Sequence, residues 1–299
     1  MRISDVIAPR ELSRVGKLQL LARGIVEGFC SGKHRSPHKG FSVEFKEHRQ
    51  YVRGDELKNI DWKVFGKSDR LYIREFEEET NLRCTLLVDR SGSMAYQGDR
   101  ASKSKYDYGV QLAAALTYLM LGQQDAVGLI TFDDQPRDHI PMRSRPSHLR
   151  NVLEALTGKV TYRETDLGGV FRQIAPKLSR RGVVIIISDS MGDVPSIAKS
   201  LSQFRASKHE IVFFQVLDPD ELDFPFAGRV QFRDLEDTSN EHTVDARSLQ
   251  DAYLQKLQQH QTQLRDACRR NRVDLVPITT DQPFGDALAE YLAFRRRMS

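Results

Sequence analysis

Short, largely apolar runs alternate with helical patterns from residue 84 onward, and this alternation constrains the fold more than any other feature of the chain. Such runs occupy 86–88, 127–132, 183–187 and 211–217. Their length fits buried strands, and the apolar residues between them recur at helical spacing. Strands that alternate with helices are typical of β-α-β units. We therefore predict an α/β fold built on a doubly wound, mainly parallel sheet.

The first 81 residues have a different pattern. Residues 12–29 carry apolar side chains every three or four positions, which indicates an amphipathic helix, and 41–45 and 71–76 alternate like half-exposed strands. We therefore predict an N-terminal α+β extension, 1–81, that extends the sheet or covers its edge, followed by an α/β domain, 82–299. Trp62 is expected to fill a core with its aromatic neighbours rather than to bind a ligand.

Polar segments follow two of the predicted strands directly. Asp89-Arg90-Ser91-Gly92-Ser93 follows the run 86–88, and Ser188-Asp189-Ser190 follows 183–187. Thr165-Asp166 precedes a helical pattern. Each segment alone is an ordinary turn or helix cap. The carboxyl ends of parallel strands meet at one edge of a sheet, however, and carboxylate and hydroxyl oxygens suit Mg²⁺.

In order and spacing these segments resemble the metal-ion-dependent adhesion site of the von Willebrand factor A domain. The resemblance implies a von Willebrand A/Rossmann-like fold. It also implies that a divalent metal, Mg²⁺ (or Mn²⁺ or Ca²⁺), is held by Asp89, Ser91, Ser93, Thr165 and Asp189. One coordination position would remain open for an acidic residue of a partner protein.

A second resemblance involves residues ahead of this motif. Four spaced blocks look like those of the bacterial domain of unknown function 58, which fuses them to a von Willebrand A-like domain: Glu44-Phe45, Arg49-x-Tyr51-x-x-Gly54-Asp55, Ile60-Asp61-Trp62-Lys63 and Arg70-Leu71-Tyr72. Association of that family with a MoxR-type AAA+ ATPase implies a non-enzymatic adaptor or co-chaperone. Its partner would be the ATPase or a client protein, bound through an acidic residue.

Composition narrows the partners and the compartment. The 299 residues include 45 basic and 41 acidic side chains, a net charge of +4 that gives little reason to expect nucleic-acid binding. No apolar run reaches the roughly 20 residues that cross a bilayer, so we expect no membrane span and a cytoplasmic location. Three cysteines without a C-x-x-C pair indicate reduced thiols.

A magnesium-dependent hydrolase or phosphotransferase that uses Asp89 is the alternative function. Such chemistry needs a positioned acid or base, and no His or Lys accompanies the three motif segments, so Arg90 or Glu164 would have to serve. The acidic segment 218–223 is expected on the same rim as the metal site. It lacks the glycine and terminal glutamate of an EF-hand loop, which favours a solvated turn over a calcium site.

Overall fold

The computed structural model describes residues 14–32, 45–50, 62–68, 70–76, 82–161, 166–178, 181–235 and 241–298. Thr165 and Glu164 lie outside these ranges, as do residues 51–61 of the family blocks. The chain forms two compact units, one of residues 35–81 and the other of residues 1–34 together with 82–299.

The secondary structure follows the sequence pattern closely from residue 82 onward. The helices are α1 (Arg14–Gly32), α2 (Trp62–Ser68), α3 (Lys105–Gly122), α4 (His148–Leu156), α5 (Leu167–Ile174), α6 (Val194–Ala206), α7 (Pro219–Asp223), α8 (Ala246–Arg270) and α9 (Phe284–Met298). The strands are β1 (Phe45–Gln50), β2 (Tyr72–Phe76), β3 (Arg83–Asp89), β4 (Ala126–Phe132), β5 (Pro136–Arg143), β6 (Val183–Ser188), β7 (Glu210–Leu217), β8 (Arg229–Arg233), β9 (Glu241–Asp245) and β10 (Val273–Thr279).

A six-stranded sheet forms the centre of the larger unit. Its strand order is β10-β7-β6-β3-β4-β5, and all neighbours are parallel except β5, which pairs antiparallel with β4 at the edge. The chain passes from β3 to β4 on one side and later returns to β6 on the other side of β3. The strand order therefore reverses between β3 and β6, where open α/β sheets form their ligand crevice.

Helices cover both faces of this sheet, because alternate side chains of a strand point to opposite faces. Leu86 and Val88 pack in the layer formed by α1, α3, α4 and α9. Leu87, between them in sequence, packs in the layer formed by α5, α6 and α8. Burial of one such side chain contributes about 1.5–3 kcal/mol. The predicted doubly wound, mainly parallel sheet is confirmed.

Helix α3 is the central helix of its layer. Ser104 caps it by accepting a hydrogen bond from the backbone N–H of Asp107 at 3.1 Å. The stretch 112–116 is completely buried, so the middle of α3 is enclosed by protein on all sides. None of the helices in the described ranges combines the length and apolarity needed to cross a bilayer.

The smaller unit contains the antiparallel pair β1–β2 and helix α2. Trp62 is 61% exposed and contacts Phe65 edge to face, with 6.0 Å between ring centroids. The expectation that Trp62 fills a core is therefore wrong. Tyr51 lies outside the described residues.

Helix α1 belongs to the larger unit, although the predicted division places it with residues 1–81. Its buried residues Leu18, Ala22 and Val26 join the core that contains α3 and α4. Strands β1 and β2 pair with each other, and the six-stranded sheet contains no described strand from before β3. The division at residue 82 stays a prediction for the remainder of that region.

Candidate metal centre

Two buried carboxylates lie at the crevice between β3 and β6. Asp89 is the last residue of β3, and Asp189 directly follows β6. Both are 1% exposed. Because β3 and β6 are parallel neighbours, with Val88 opposite Ile187, their carboxyl ends bring the two acidic residues together.

Asp89 is held by hydrogen bonds alone. The backbone N–H of Ser91 donates to Oδ1 at 2.9 Å, and the Ser188 hydroxyl donates to Oδ2 at 2.6 Å. Among the described residues the Asp89 carboxylate forms no ion pair. Burial and then the negative charge of Asp189 raise the pKa of Asp89 to about 7, because these hydrogen bonds offset the two effects only in part. Within the described part of the chain, the site therefore contains a buried carboxylate without a compensating cation.

Two serine hydroxyls link the carboxylates. Ser91 Oγ and Ser93 Oγ are 3.2 Å apart, in and just before the 3-10 turn Gly92–Ala95. The Ser91 side chain acts to lower the pKa of Asp89, and the Ser93 side chain acts to lower the pKa of Asp189. Four of the five predicted ligands thus lie side by side, although their role as ligands stays a prediction.

Thr165, the fifth predicted ligand, lies outside the described residues. Its neighbour Asp166 is exposed and caps α5 by accepting a hydrogen bond from Gly169 N at 2.8 Å. In the described part of the chain, no three His, Cys, Asp or Glu side chains converge to hold a metal ion. The predicted site is of another kind, because hydroxyls complete its ligand set.

Lys105 also belongs to this site, and sequence reasoning missed it. Its Nζ lies 2.8 Å from Asp189 Oδ2 and 2.6 Å from Glu221 Oε1, and the residue is fully buried. The expectation that no lysine accompanies the motif segments is therefore wrong. The contact between Lys105 and Asp189 spans 84 residues, and the local signal is a lysine at the first turn of a mostly apolar helix.

Lys105 stays protonated in this environment. Burial alone would lower its pKa, but the charges of Asp189 and Glu221 outweigh burial and raise it above its ordinary value. Likewise burial alone would raise the pKa of Asp189, but the Lys105 ammonium group lowers it. A lysine that keeps its proton cannot act as a general base at neutral pH.

The acidic segment 218–223 supports the loop that follows Ser93. It forms the short helix α7, and its residues Asp218 and Asp220 are buried, so the expectation of a solvated turn is wrong. Asp218 Oδ2 accepts from Gly98 N at 3.0 Å, and Asp220 Oδ2 accepts from Asp99 N at 2.8 Å. A Cβ on Gly98 would lie 2.3 Å from Asp220 Oδ2, so this contact requires glycine.

The residues around Asp89 fit a hard divalent cation. We call Asp89, Ser91, Ser93, Asp189 and Lys105 the β3–β6 cluster. Carboxylate and hydroxyl oxygens are the donors that Mg²⁺ prefers. Lys105 compensates Asp189 from one side, whereas Asp89 has no counter-charge among the described contacts. A cation next to Asp89 would remove that imbalance.

Relatives of this chain are uncharacterized proteins. The chain is 25% identical over 297 residues to the uncharacterized protein Rv1480 of Mycobacterium tuberculosis, which covers 98% of this chain and 92% of the relative. The uncharacterized protein Mb1516 of Mycobacterium bovis has the same identity and coverage. A protein of Mycobacterium avium, MAV169, is 29% identical over 119 residues, or 40% of this chain and 69% of the relative.

Solved structures similar to this chain include the conserved hypothetical protein BatB from Bacteroides thetaiotaomicron, with a TM-score of 0.46 and 13% identity over 72% of this chain and 99% of that chain. An aerotolerance-related membrane protein from Bacteroides fragilis has a TM-score of 0.48 and 17% identity, over 70% of this chain and 97% of that chain. The SpRpn10 VWA domain has a TM-score of 0.43 and 12% identity, over 71% of this chain and 95% of that chain.

The family assignment comes from the sequence match over most of the chain. Residues 47–263 match the family described as "Protein of unknown function DUF58". This range includes three of the four family blocks, all but Glu44-Phe45, as well as Asp89, Ser91, Ser93, Thr165 and Asp189. The chain therefore belongs to the DUF58 family.

Proposed function

We propose that this chain is a non-enzymatic protein-interaction module that depends on a divalent metal. The observation that carries the proposal is the convergence of Asp89, Ser91, Ser93 and Asp189 at the crevice between β3 and β6. These four side chains and Thr165 would hold Mg²⁺, Mn²⁺ or Ca²⁺. A bound cation would supply an open coordination position for an Asp or Glu carboxylate of a partner protein.

The surrounding residues keep this arrangement rigid. Lys105 holds Asp189, Ser188 holds Asp89, and the backbone N–H of Met191 donates to Asp189 Oδ1 at 3.2 Å. Because these contacts come from strand ends and from the start of α3, the oxygens of the cluster are preorganised. Preorganisation lowers the entropic cost of binding a partner.

The partner of the proposed module is a MoxR-type AAA+ ATPase or one of its client proteins. This part of the proposal derives from the family resemblance, in which an adaptor recruits its partner through an acidic side chain. The basic and acidic residues of this chain are nearly balanced in number, so general charge attraction would contribute little to such binding.

Metal binding is tested first by titration calorimetry with Mg²⁺ and Mn²⁺. We expect Asp89→Ala to weaken binding at least about tenfold, because it removes a ligand of the cation. Asp266→Ala is the matched control, since Asp266 is an exposed carboxylate on α8. Equal metal binding by Asp89→Ala and the wild-type protein would contradict the proposed site.

Partner binding is tested by affinity capture with the purified MoxR-type ATPase, in Mg²⁺ and in chelator. Capture is expected in Mg²⁺ only, and Asp89→Ala should abolish it while Asp266→Ala does not. The alternative enzyme would behave differently. Turnover of a phosphoester panel by the wild-type protein, lost in Asp89→Ala, would overturn the non-enzymatic proposal in favour of a hydrolase.

A further inference from the structure

An apolar groove lies where helix α8 passes the hairpin β8–β9. The groove has a volume of about 330 Å³. Its lining consists of Phe224, Phe232, Leu249, Ala252, Tyr253 and Lys256. It is large enough for one leucine or aromatic side chain, because ligand pockets in proteins begin at about this volume.

Aromatic packing builds a rigid floor for the groove. The buried ring of Phe224 lies 4.8 Å from Tyr253, 5.1 Å from Phe226 and 5.9 Å from Phe232, measured between centroids. Phe224 adopts a φ of 47°, a left-handed conformation that bulky residues rarely take and that surrounding packing must stabilise. The walls remain open, because Leu249 is 40% exposed.

Helix α8 connects this groove to the cluster. Leu249, Tyr253, Lys256 and His260 are spaced by four, three and four residues and so lie on one face of the helix. His260 Nε2 lies 3.0 Å from the carbonyl oxygen of Ser190, the residue after Asp189. Seven residues separate Tyr253 from His260, a rise of about 10 Å along the helix axis.

Helix α7 provides a second connection. Phe224 directly follows α7, whose residue Glu221 contacts Lys105 of the cluster at 2.6 Å. The acidic residues of α7 already have partners, since Arg100 pairs with Asp220 and Asp223. Among the residues that the structure describes, the groove lining contains one cation, Lys256, and no carboxylate. An acidic segment of a partner would therefore meet positive charge at the groove.

We propose that the groove binds an apolar side chain of the partner segment whose carboxylate binds at the β3–β6 cluster. This inference rests on the proposed function. An extended chain rises about 3.3 Å per residue, so the rise of about 10 Å along α8 from Tyr253 to His260 corresponds to about three residues of an extended partner segment. The segment recognised by this protein carries a Leu or aromatic residue about three or four positions from an Asp or Glu.

Peptide selection tests this recognition motif. A phage-displayed library of random peptides is selected on the full chain in millimolar Mg²⁺, in parallel on the wild-type protein, Leu249→Asp, Asp89→Ala and Gln255→Asp. Leu249 and Gln255 are both exposed residues of α8, so Gln255→Asp is a matched control for the introduced charge. An enriched peptide is then synthesised with a fluorophore, and its Kd is measured by anisotropy.

The inference predicts peptides that combine an acidic and an apolar residue at this spacing. Leu249→Asp should raise the Kd of the peptide about tenfold or more, because the apolar side chain loses its buried contact. Gln255→Asp should leave the Kd unchanged. Peptides selected on Leu249→Asp should retain the acidic residue and lose the apolar preference. Peptides selected on Asp89→Ala should retain the apolar residue and lose the acidic preference.

Two results would overturn the inference, and they differ in what they say about the proposed function. Acidic peptides without an apolar preference, bound equally by Leu249→Asp and the wild-type protein, would exclude the groove and leave the metal-dependent module intact. A selection in which chelator and Asp89→Ala change nothing, or which enriches no peptide, would contradict both.

Discussion

Two polar clusters lie along the same edge of the sheet and differ in how their charges are balanced. In the second, which we call the β4 cluster, Asp133 follows β4. Both of its carboxylate oxygens lie 2.7 Å from Arg137 Nε and share its single N–H, and the Thr161 hydroxyl donates a further hydrogen bond. Asp138 pairs with Arg90 at 2.8 Å. Each described carboxylate of this cluster pairs with an arginine, whereas Asp89 of the β3–β6 cluster pairs with no cation among the described residues.

This difference separates a structural cluster from the proposed binding site. Burial alone would raise the pKa of Asp133, but the hydrogen bonds from Arg137 and Thr161 lower it below its ordinary value. The β4 cluster is therefore complete within the chain. Counted over the described residues, the β3–β6 cluster places two carboxylates together with one lysine, so a further positive charge would neutralise it.

The largest effect is expected when the buried cation is removed. Lys105→Met leaves Asp189 and Glu221 buried without their partner and should lower the free energy of unfolding by about 3–5 kcal/mol in chelator. Arg137→Met is the counterpart in the β4 cluster. Its cost should be smaller, about 1–3 kcal/mol, because Arg137 is 26% exposed and water can reach the site.

Urea denaturation of the two variants measures this contrast. Equal losses in Lys105→Met and Arg137→Met would show that the two clusters do not differ in how strongly they depend on their cations. Lys103→Met is a further control, since Lys103 is the nearby half-buried lysine that bonds Gln111.

The next largest effect is expected from pH, because Asp89 and Asp133 should change the free energy of unfolding with pH in opposite directions. The pKa of Asp89 is about 7 in the folded chain and about 4 in the unfolded chain, so the folded state binds more protons between these values. In chelator, Asp89 should therefore lower the free energy of unfolding by about 2–4 kcal/mol as pH rises from about 4 to 7. Asp133 acts in the opposite direction. Its pKa is lowered, so its contribution is present above about pH 4 and is lost below it.

Denaturation between pH 3 and 8 tests this dependence in the wild-type protein, Asp89→Asn and Asp133→Asn. Asp89→Asn should remove the loss between about pH 4 and 7, and Asp133→Asn should remove the loss at lower pH. If the loss of stability between about pH 4 and 7 persists unchanged in Asp89→Asn, then Asp89 is not the uncompensated charge.

A smaller effect is expected from the loop that α7 supports. In Gly98→Ala the new methyl group would lie 2.3–2.4 Å from oxygens of Asp220 and Asp218, so the loop or α7 must shift. We expect the free energy of unfolding, measured by thermal denaturation, to fall by about 1–3 kcal/mol and Mg²⁺ binding to weaken. Gly122→Ala is the control, because no atom lies within 4 Å of its Cβ and alanine favours the helix. Unchanged metal binding in Gly98→Ala would mean that α7 does not support the metal site.

The sheet and much of the site position follow from local sequence signals. Apolar runs predict β3, β4, β6 and β7 because a buried parallel strand needs side chains that are apolar on both faces. Asp89 and Asp189 could be placed together because each comes at the carboxyl end of such a run. The helix start at Ser104 is likewise a local capping signal.

Long-range contacts explain what the sequence could not predict. Lys105 reaches Asp189 across 84 residues and Glu221 across 116, and no periodicity encodes such pairs. Asp218 and Asp220 look like surface residues by composition, yet the backbone of the loop at Gly98 buries them. Helix α1 precedes residue 81 but packs on α3, because an amphipathic pattern identifies a buried face without identifying the surface that covers it.

The prolines at the two margins of the sheet have a consequence for self-association. Strand β5 contains Pro136 and Pro141, and β10 contains the exposed Pro277. Proline offers no backbone N–H, so neither margin presents an uninterrupted row of donors onto which a foreign strand could be added. Both outer strands thus resist the edge-to-edge stacking that begins fibrillar aggregation.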